Sequence, residues 1–85
     1  MDDSITIKIK YCSILDQITG TRSEPAVINE NCPFLFLLNF IFQSYPEIQQ
    51  RYPPGTVGLL LNGQPPSEMQ KLSHGDVVEL KVVTN

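Results

Sequence analysis

Only Asn39, Gln43 and Ser44 are polar in the stretch Pro33-Phe34-Leu35-Phe36-Leu37-Leu38-Asn39-Phe40-Ile41-Phe42-Gln43-Ser44, once its proline is set aside. Whatever this chain folds into must cover that run. Strands usually last 4–8 residues and alternate, and this run is longer and lacks a two-residue period, so the reading is a helix of about three turns. Pro33 suits a first helical turn, where its missing N–H would have had no partner. With Phe34 at 0° and about 100° per residue, Leu38, Ile41, Phe42 and Tyr45 fall on one broad arc, bordered by Leu37. Asn39 and Gln43 lie opposite. Phe36 and Phe40 fall beyond that polar wedge, so one covering layer leaves them partly wet.

The chain has 85 residues, enough for one domain. A chain this small hides about 60–65% of its extended surface, so its core amounts to one helix against one sheet. The formal charge is −3 from nine acidic and six basic residues. Lys8, Lys10, Arg22, Arg51, Lys71 and Lys81 are scattered among acids, which leaves no basic groove for a nucleic acid, and Tyr11, Tyr45 and Tyr52 have no such groove to stack in. Asp2 and Asp3 are the wrong charge for a secretory leader, and the longest apolar run is too short to span a bilayer. The expectation is a cytoplasmic protein, with neither a membrane nor a nucleic acid as partner. Two cysteines, Cys12 and Cys32, then read as buried thiols rather than a disulfide, and with His74 they are too few for zinc. No cofactor is expected.

Ile5, Ile7, Ile9 and Tyr11 alternate with Thr6, Lys8 and Lys10, the mark of a half-buried strand. Residues 13–20 read as one or two helical turns, with Ser13 as cap and Gly20 as stop. A short strand is expected near Pro25-Ala26-Val27-Ile28, either at a sheet edge or beginning at Pro25, because Pro25 has no N–H to donate. After the long helix, residues 47–52 form another turn or two, facing Ile48 and Tyr52 inward, and Pro53-Pro54-Gly55 ends it. Val57 to Leu61 is the next strand and Asn62-Gly63 its reverse turn. Gln64, Pro65 and Pro66 allow only a very short return strand. Met69 and Leu72 plug the sheet end. Ser73-His74-Gly75-Asp76 turns into a last strand in which Val78, Leu80 and Val82 face one way and Glu79 and Lys81 the other. The fold class is an α+β roll, a mixed four- to five-stranded sheet with one main helix on one face and the first and last strands side by side.

Three stretches resemble the ubiquitin-like β-grasp, and within it the sulfur-carrier branch: the small subunit of molybdopterin synthase and the thiamine-pathway carrier. Residues 5–20, with Thr19-Gly20-Thr21-Arg22-Ser23-Glu24 after them, are similar to that branch's first strand, short helix and turn. Val57 to Gly63 looks like the strand leading into its hairpin. Leu72-Ser73-His74-Gly75-Asp76-Val77-Val78 is similar to its turn into the final strand. The resemblance implies a C-terminal tail ending in Gly-Gly, whose carboxylate an adenylating enzyme activates and sulfur then converts to a thiocarboxylate. It also implies delivery of that tail to a synthase large subunit. Two glycines remove side-chain bulk so that the terminus threads a narrow channel. Counted from Gly75, the Gly-Gly would follow Asn85, whereas the residues at hand are Val83, Thr84 and Asn85. The side chain of Asn85 would enter space reserved for glycine. The expectation is therefore a non-enzymatic relative that works through protein–protein contacts and does not carry sulfur as written. The alternative is a carrier whose Gly-Gly lies beyond the residues given.

Phe36 and Phe40 carry the main functional expectation. Either they lean over the sheet margin or onto residues 47–52, or they form a contact patch for a partner or a second copy, in a weak homodimer. The outer sheet face, with Thr6, Lys8, Lys10, Glu79 and Lys81, is the second candidate interface; its plainer reading is a solvated face with cross-strand charge pairing. His74 sits in a turn where no motif places a Ser or Cys nucleophile for it, and Asp76 reads as a turn-former that bonds backbone N–H groups. Asn31 and Pro33 give Cys32 no charge to activate it.

Overall fold

Alternation in the first strand is what gives the sheet its two unlike faces. The computed structural model describes residues 3–12, 14–52, 55–67 and 69–83. In β1 (Ser4–Tyr11), Ile5, Ile7, Ile9 and Tyr11 are buried while Thr6 and Lys8 are exposed. The other elements are α1 (Leu15–Thr19), β2 (Ser23–Asn29), α2 (Phe34–Ser44), α3 (Pro46–Arg51), β3 (Val57–Leu61) and β4 (Val77–Val82). The strands form one mixed sheet in the order β2-β1-β4-β3, with β1 and β4 parallel and both outer pairs antiparallel. This is the β-grasp roll expected from the sequence, and β1 and β4 lie side by side at its centre.

β2 is an edge strand, as Pro25 requires, and it is longer than residues 25–28. The expected return strand after Asn62-Gly63 shrinks to a single bridge between Leu61 and Gln64, so the sheet has four strands rather than five. Prolines at 65 and 66 have no N–H with which to extend it.

α2 lies on the inner face. Phe34, Leu37 and Ile41 are its buried residues, and Leu38 and Phe42 pack part-buried against the same core. Leu37 stands at the border of the buried arc, as expected, yet is buried as fully as Ile41. Pro33 sits one position before the first turn, extended at φ −65° and ψ 148°. Residues 70–72 hold that end from one side: Phe34 N–H donates to the Gln70 carbonyl (2.8 Å) and Leu72 N–H to that of Cys32 (3.0 Å). The first bond satisfies a helix donor that has no partner within the helix.

Leu72 is buried at that end, as expected, but Met69 is 71% exposed and plugs nothing. Gln70 N–H bonds back to the Ser67 carbonyl (3.1 Å), closing a turn that throws Met69 outward. Gly20 closes α1 at φ 80°, a left-handed conformation that costs glycine little. α3 begins at Pro46, its first-turn proline, and buries Ile48 completely, with Tyr52 part-buried against the core. Ser13 as a cap and Pro53-Pro54 as a stop fall outside the described residues.

Candidate functional site

A helix that buries Phe34, Leu37 and Ile41 must turn residues 36 and 40 away from the core. Phe36 is 62% exposed and Phe40 57% exposed. They stand one turn apart on the side of α2 that borders β2, and both line a hollow at that sheet margin. Val27, 70% exposed, pairs with Thr6, so its side chain lies on the outer sheet face although its strand borders α2. Between β2 and α2 lie two hollows. One, of about 270 Å³, is lined by Val27, Ile28, Asn29, Cys32, Phe36, Leu37 and Phe40. The other, of about 220 Å³, is lined by residues that include Glu24, Pro25, Ala26, Val27, Phe40 and Tyr45.

At the floor of the second hollow is a cluster that sequence reasoning missed. Tyr11 Oη donates to Glu24 Oε2 (2.6 Å), and so does Tyr45 Oη (2.8 Å). The two rings meet edge to face at 5.7 Å. Burial, reinforced by the bond to Glu24, pushes the Tyr11 phenol far above the usual phenol range; for Tyr45 the bond to Glu24 comes first and burial second. The cluster ties the ends of β1 and α2 to the start of β2. The signal was present in the alternation of β2, which puts Glu24 on the same face as Ala26 and Ile28.

The outer sheet face carries Thr6, Lys8, Lys10, Glu79 and Lys81 as expected. Lys10 stands opposite Glu79 in the parallel register, yet among the described residues no ion pair forms on this face. Glu79 instead accepts a weak bond from Cys12 Sγ (3.8 Å). The charge pairing expected there is therefore absent, because half-buried Glu79 is turned to the thiol. An apolar hollow of about 390 Å³ opens on this face beside Thr6, Lys8, Pro25, His74 and Val77.

His74 Nδ1 accepts the Thr6 N–H (3.1 Å), which engages that nitrogen with the backbone. Asp76 Oδ2 accepts the Ser73 N–H (2.8 Å) and its Oδ1 a bond from Asn62 Nδ2 (3.0 Å), the turn-ordering role expected of it. Asn62, at φ 52°, also accepts the Val77 N–H through Oδ1 (2.9 Å). Cys12 and Cys32 are free and half-buried, and burial raises the Cys32 thiol. Val83 is anchored by its N–H to the Thr56 carbonyl (2.7 Å); Thr84 and Asn85 lie outside the described residues. Among the described residues no group of His, Cys, Asp and Glu could hold a metal ion. Among the described residues, no helix is long and apolar enough to cross a membrane.

No family model and no curated protein matches the sequence. Solved structures do match in fold. A provisionally named molybdopterin converting factor, subunit 1, from Pyrococcus furiosus superposes with a TM-score of 0.83 at 21% identity, over 94% of this chain and 99% of that one. Small archaeal modifier protein 1 of Haloferax volcanii gives 0.79 at 15% identity, over 94% and 99%. Urm1 from Trypanosoma brucei gives 0.71 at 15%, over 100% and 98%. The chain shares the ubiquitin-like β-grasp fold with these three proteins.

Proposed function

We propose that this protein is a non-enzymatic β-grasp protein that acts through contact with protein partners, using the side of α2 that carries Phe36 and Phe40. The observation that carries the reading is their joint exposure, one turn apart on the side of α2 that borders the open edge of β2, with polar Asn29, Asn39 and Gln43 around them. The test uses the tagged chain as bait in an extract of its own cells, beside a Phe36→Asp/Phe40→Asp double variant. Wild type is expected to retain a partner that the double variant loses while keeping its circular dichroism. Equal retention by both ends the proposal.

A second reading, sulfur carriage in molybdenum-cofactor synthesis, is supported by likeness to the converting-factor subunit. It would use Val83, Thr84, Asn85 and whatever follows them, with an adenylating enzyme and a synthase large subunit as partners docking on the outer face near Lys8, Lys10 and Lys81. Incubating the natural gene product with ATP and the adenylating enzyme of the same organism, followed by intact-mass measurement, separates the two. No mass change is expected on the contact reading, and an adenylate or thiocarboxylate product would establish carriage. We also infer a cytoplasmic site of action, supported by free rather than paired cysteines.

A further inference from the structure

We propose that the hollow floored by Glu24 is a binding site for a small organic cation, a primary ammonium group on a short apolar stem. The ammonium would sit on the Glu24 carboxylate and the stem against Phe40 and Ile41. This goes beyond the protein-contact reading, with which it shares only Phe40.

Glu24 is a half-buried carboxylate without a counter-ion. Both of its bonds come from neutral donors, the Tyr11 and Tyr45 hydroxyls, and both land on Oε2. Among the described residues Oε1 accepts no bond, and no lysine, arginine or histidine pairs with the group. Arg22, two residues away in the chain, turns to Asp16 instead (3.9 Å). Lys8 and Lys10 lie on the neighbouring strand but on its other face. Ile9 is the residue opposite Glu24, and alternation carries both lysines to the outer side of the sheet. A charge drawn out of water is ordinarily matched by one of opposite sign. Here the fold fixes one oxygen of the anion with two phenols and leaves the other for a donor from outside.

The lining suits that guest. Ala26 follows Glu24 on the same strand face, and its single methyl group leaves open the space between β2 and α2. Buried Ile9 and Ile41 make an apolar floor, with Phe40 and Tyr45 beside them. Tyr45 is held in place twice, by its bond to Glu24 and by its edge-to-face contact with Tyr11. An aromatic ring within about 6 Å of a cation attracts it through the negative face of the ring, which favours a positive guest over a neutral one. The hollow measures about 220 Å³. That is the liquid share of about seven water molecules, and less than the ~300–1,000 Å³ of sites for drug-sized ligands. A guest of about five to seven heavy atoms follows, an ammonium on a stem of about four carbons.

The other hollows lack this combination. The one beside Phe36 has no charged side chain in its lining, and the one on the outer face is bordered by Lys8, which repels a cation. No lysine or arginine lines the hollow at Glu24, so nothing there would hold an anion.

The test titrates the isotope-labelled full chain with n-butylammonium chloride at about pH 7, where the amine is protonated, and at constant ionic strength. n-Butanol, butyrate and Nα-acetyl-lysine methylamide are titrated in parallel. The ammonium is expected to bind with a dissociation constant of about 1 mM, the order open to so small a ligand, and to shift the amides of Ala26, Phe40, Ile41 and Tyr45. Butanol, its neutral counterpart, should bind at least about fivefold more weakly, and butyrate not at all. Glu24→Gln keeps an oxygen for the phenols and removes the charge. It should weaken butylammonium about tenfold and leave butanol unchanged. Phe40→Leu keeps apolar bulk without the ring and should weaken butylammonium about threefold. Butanol bound as tightly as butylammonium overturns the proposal, as does a folded Glu24→Gln protein that binds like wild type. So do shifts confined to the outer face around Lys8 and Val77, or no shifts up to about 50 mM. If Glu24→Gln does not fold, the ranking of ammonium, alcohol and carboxylate on the wild type decides. The lysine derivative separates two sources of the same group. Tighter binding than butylammonium assigns the site to a lysine side chain, weaker binding to a free amine, and binding of neither ends the proposal.

Discussion

Glu24 holds two phenols with one oxygen, and both tyrosines depend on it for their bond. Replacing it with alanine strands the Tyr11 hydroxyl in the core, where Tyr11 is only 3% exposed. An unsatisfied buried donor costs about 1–3 kcal/mol, and the urea midpoint of Glu24→Ala should fall accordingly. An unchanged midpoint would mean that the cluster contributes nothing to stability. The same bonds set an alkaline limit. Both phenols are raised, so above about pH 10 the folded chain keeps protons that the unfolded chain releases. Stability is then independent of these groups below that pH, and falls above it by about 1.4 kcal/mol per pH unit for each phenol still protonated. Urea melts between about pH 9 and about pH 11 should show the decline, and Tyr11→Phe should make it shallower. Equal slopes in the two proteins would refute the assignment. Little of this is legible in the sequence, because a glutamate in a polar stretch announces neither its face nor its partners until β2 is known to begin at Ser23.

Among the elements, those with one strong period were the most legible. β1 alternates without a break, and Ile48 is buried in α3 as expected. α2 was harder to place because apolar residues occupy most of its circumference. Its own sequence sets the rotation only loosely, and Leu37 at the border of the arc is buried as fully as Ile41. Met69 misled for a related reason, since a local hydrogen-bonded turn decides its direction. Gly58 is an element-level case that periodicity does not reveal. A Cβ there would lie 2.7 Å from Val83 Cγ2, on the branched side chain that follows β4. Gly58→Ala gains strand propensity yet must displace Val83, so it should destabilise by about 1 kcal/mol or more. Adding Val83→Ala should recover most of that loss in urea melts. A Gly58→Ala protein as stable as wild type would show that Val83 moves aside freely.

For the whole molecule, the sequence made the α2 patch legible but not the hollow beside it. Phe36 and Phe40 could be placed by helical angle alone, whereas the place of Glu24 in that hollow depends on the register of β2 with β1. The solvated outer face was foreseen, but its Lys10–Glu79 pairing was not realised, since register brings charges opposite without making them bond. The same geometry limits self-association. Fully burying a phenylalanine is worth roughly 1.5–3 kcal/mol, and with about 60% of each ring left to bury, two per chain in a symmetric pair supply roughly 4–7 kcal/mol. Association costs about 4–15 kcal/mol before any gain appears, and two surfaces of charge −3 repel. The balance lies near zero. Sedimentation should therefore find a monomer at about 10 µM, with the average mass rising only at far higher concentration and more readily in added salt. Phe40→Asp should abolish that rise, because it puts a carboxylate where the ring would be buried. A tight dimer at micromolar concentration would mean that more than two phenylalanines hold it. A Phe40→Asp protein whose mass climbs as steeply as wild type would place the contact elsewhere on the molecule.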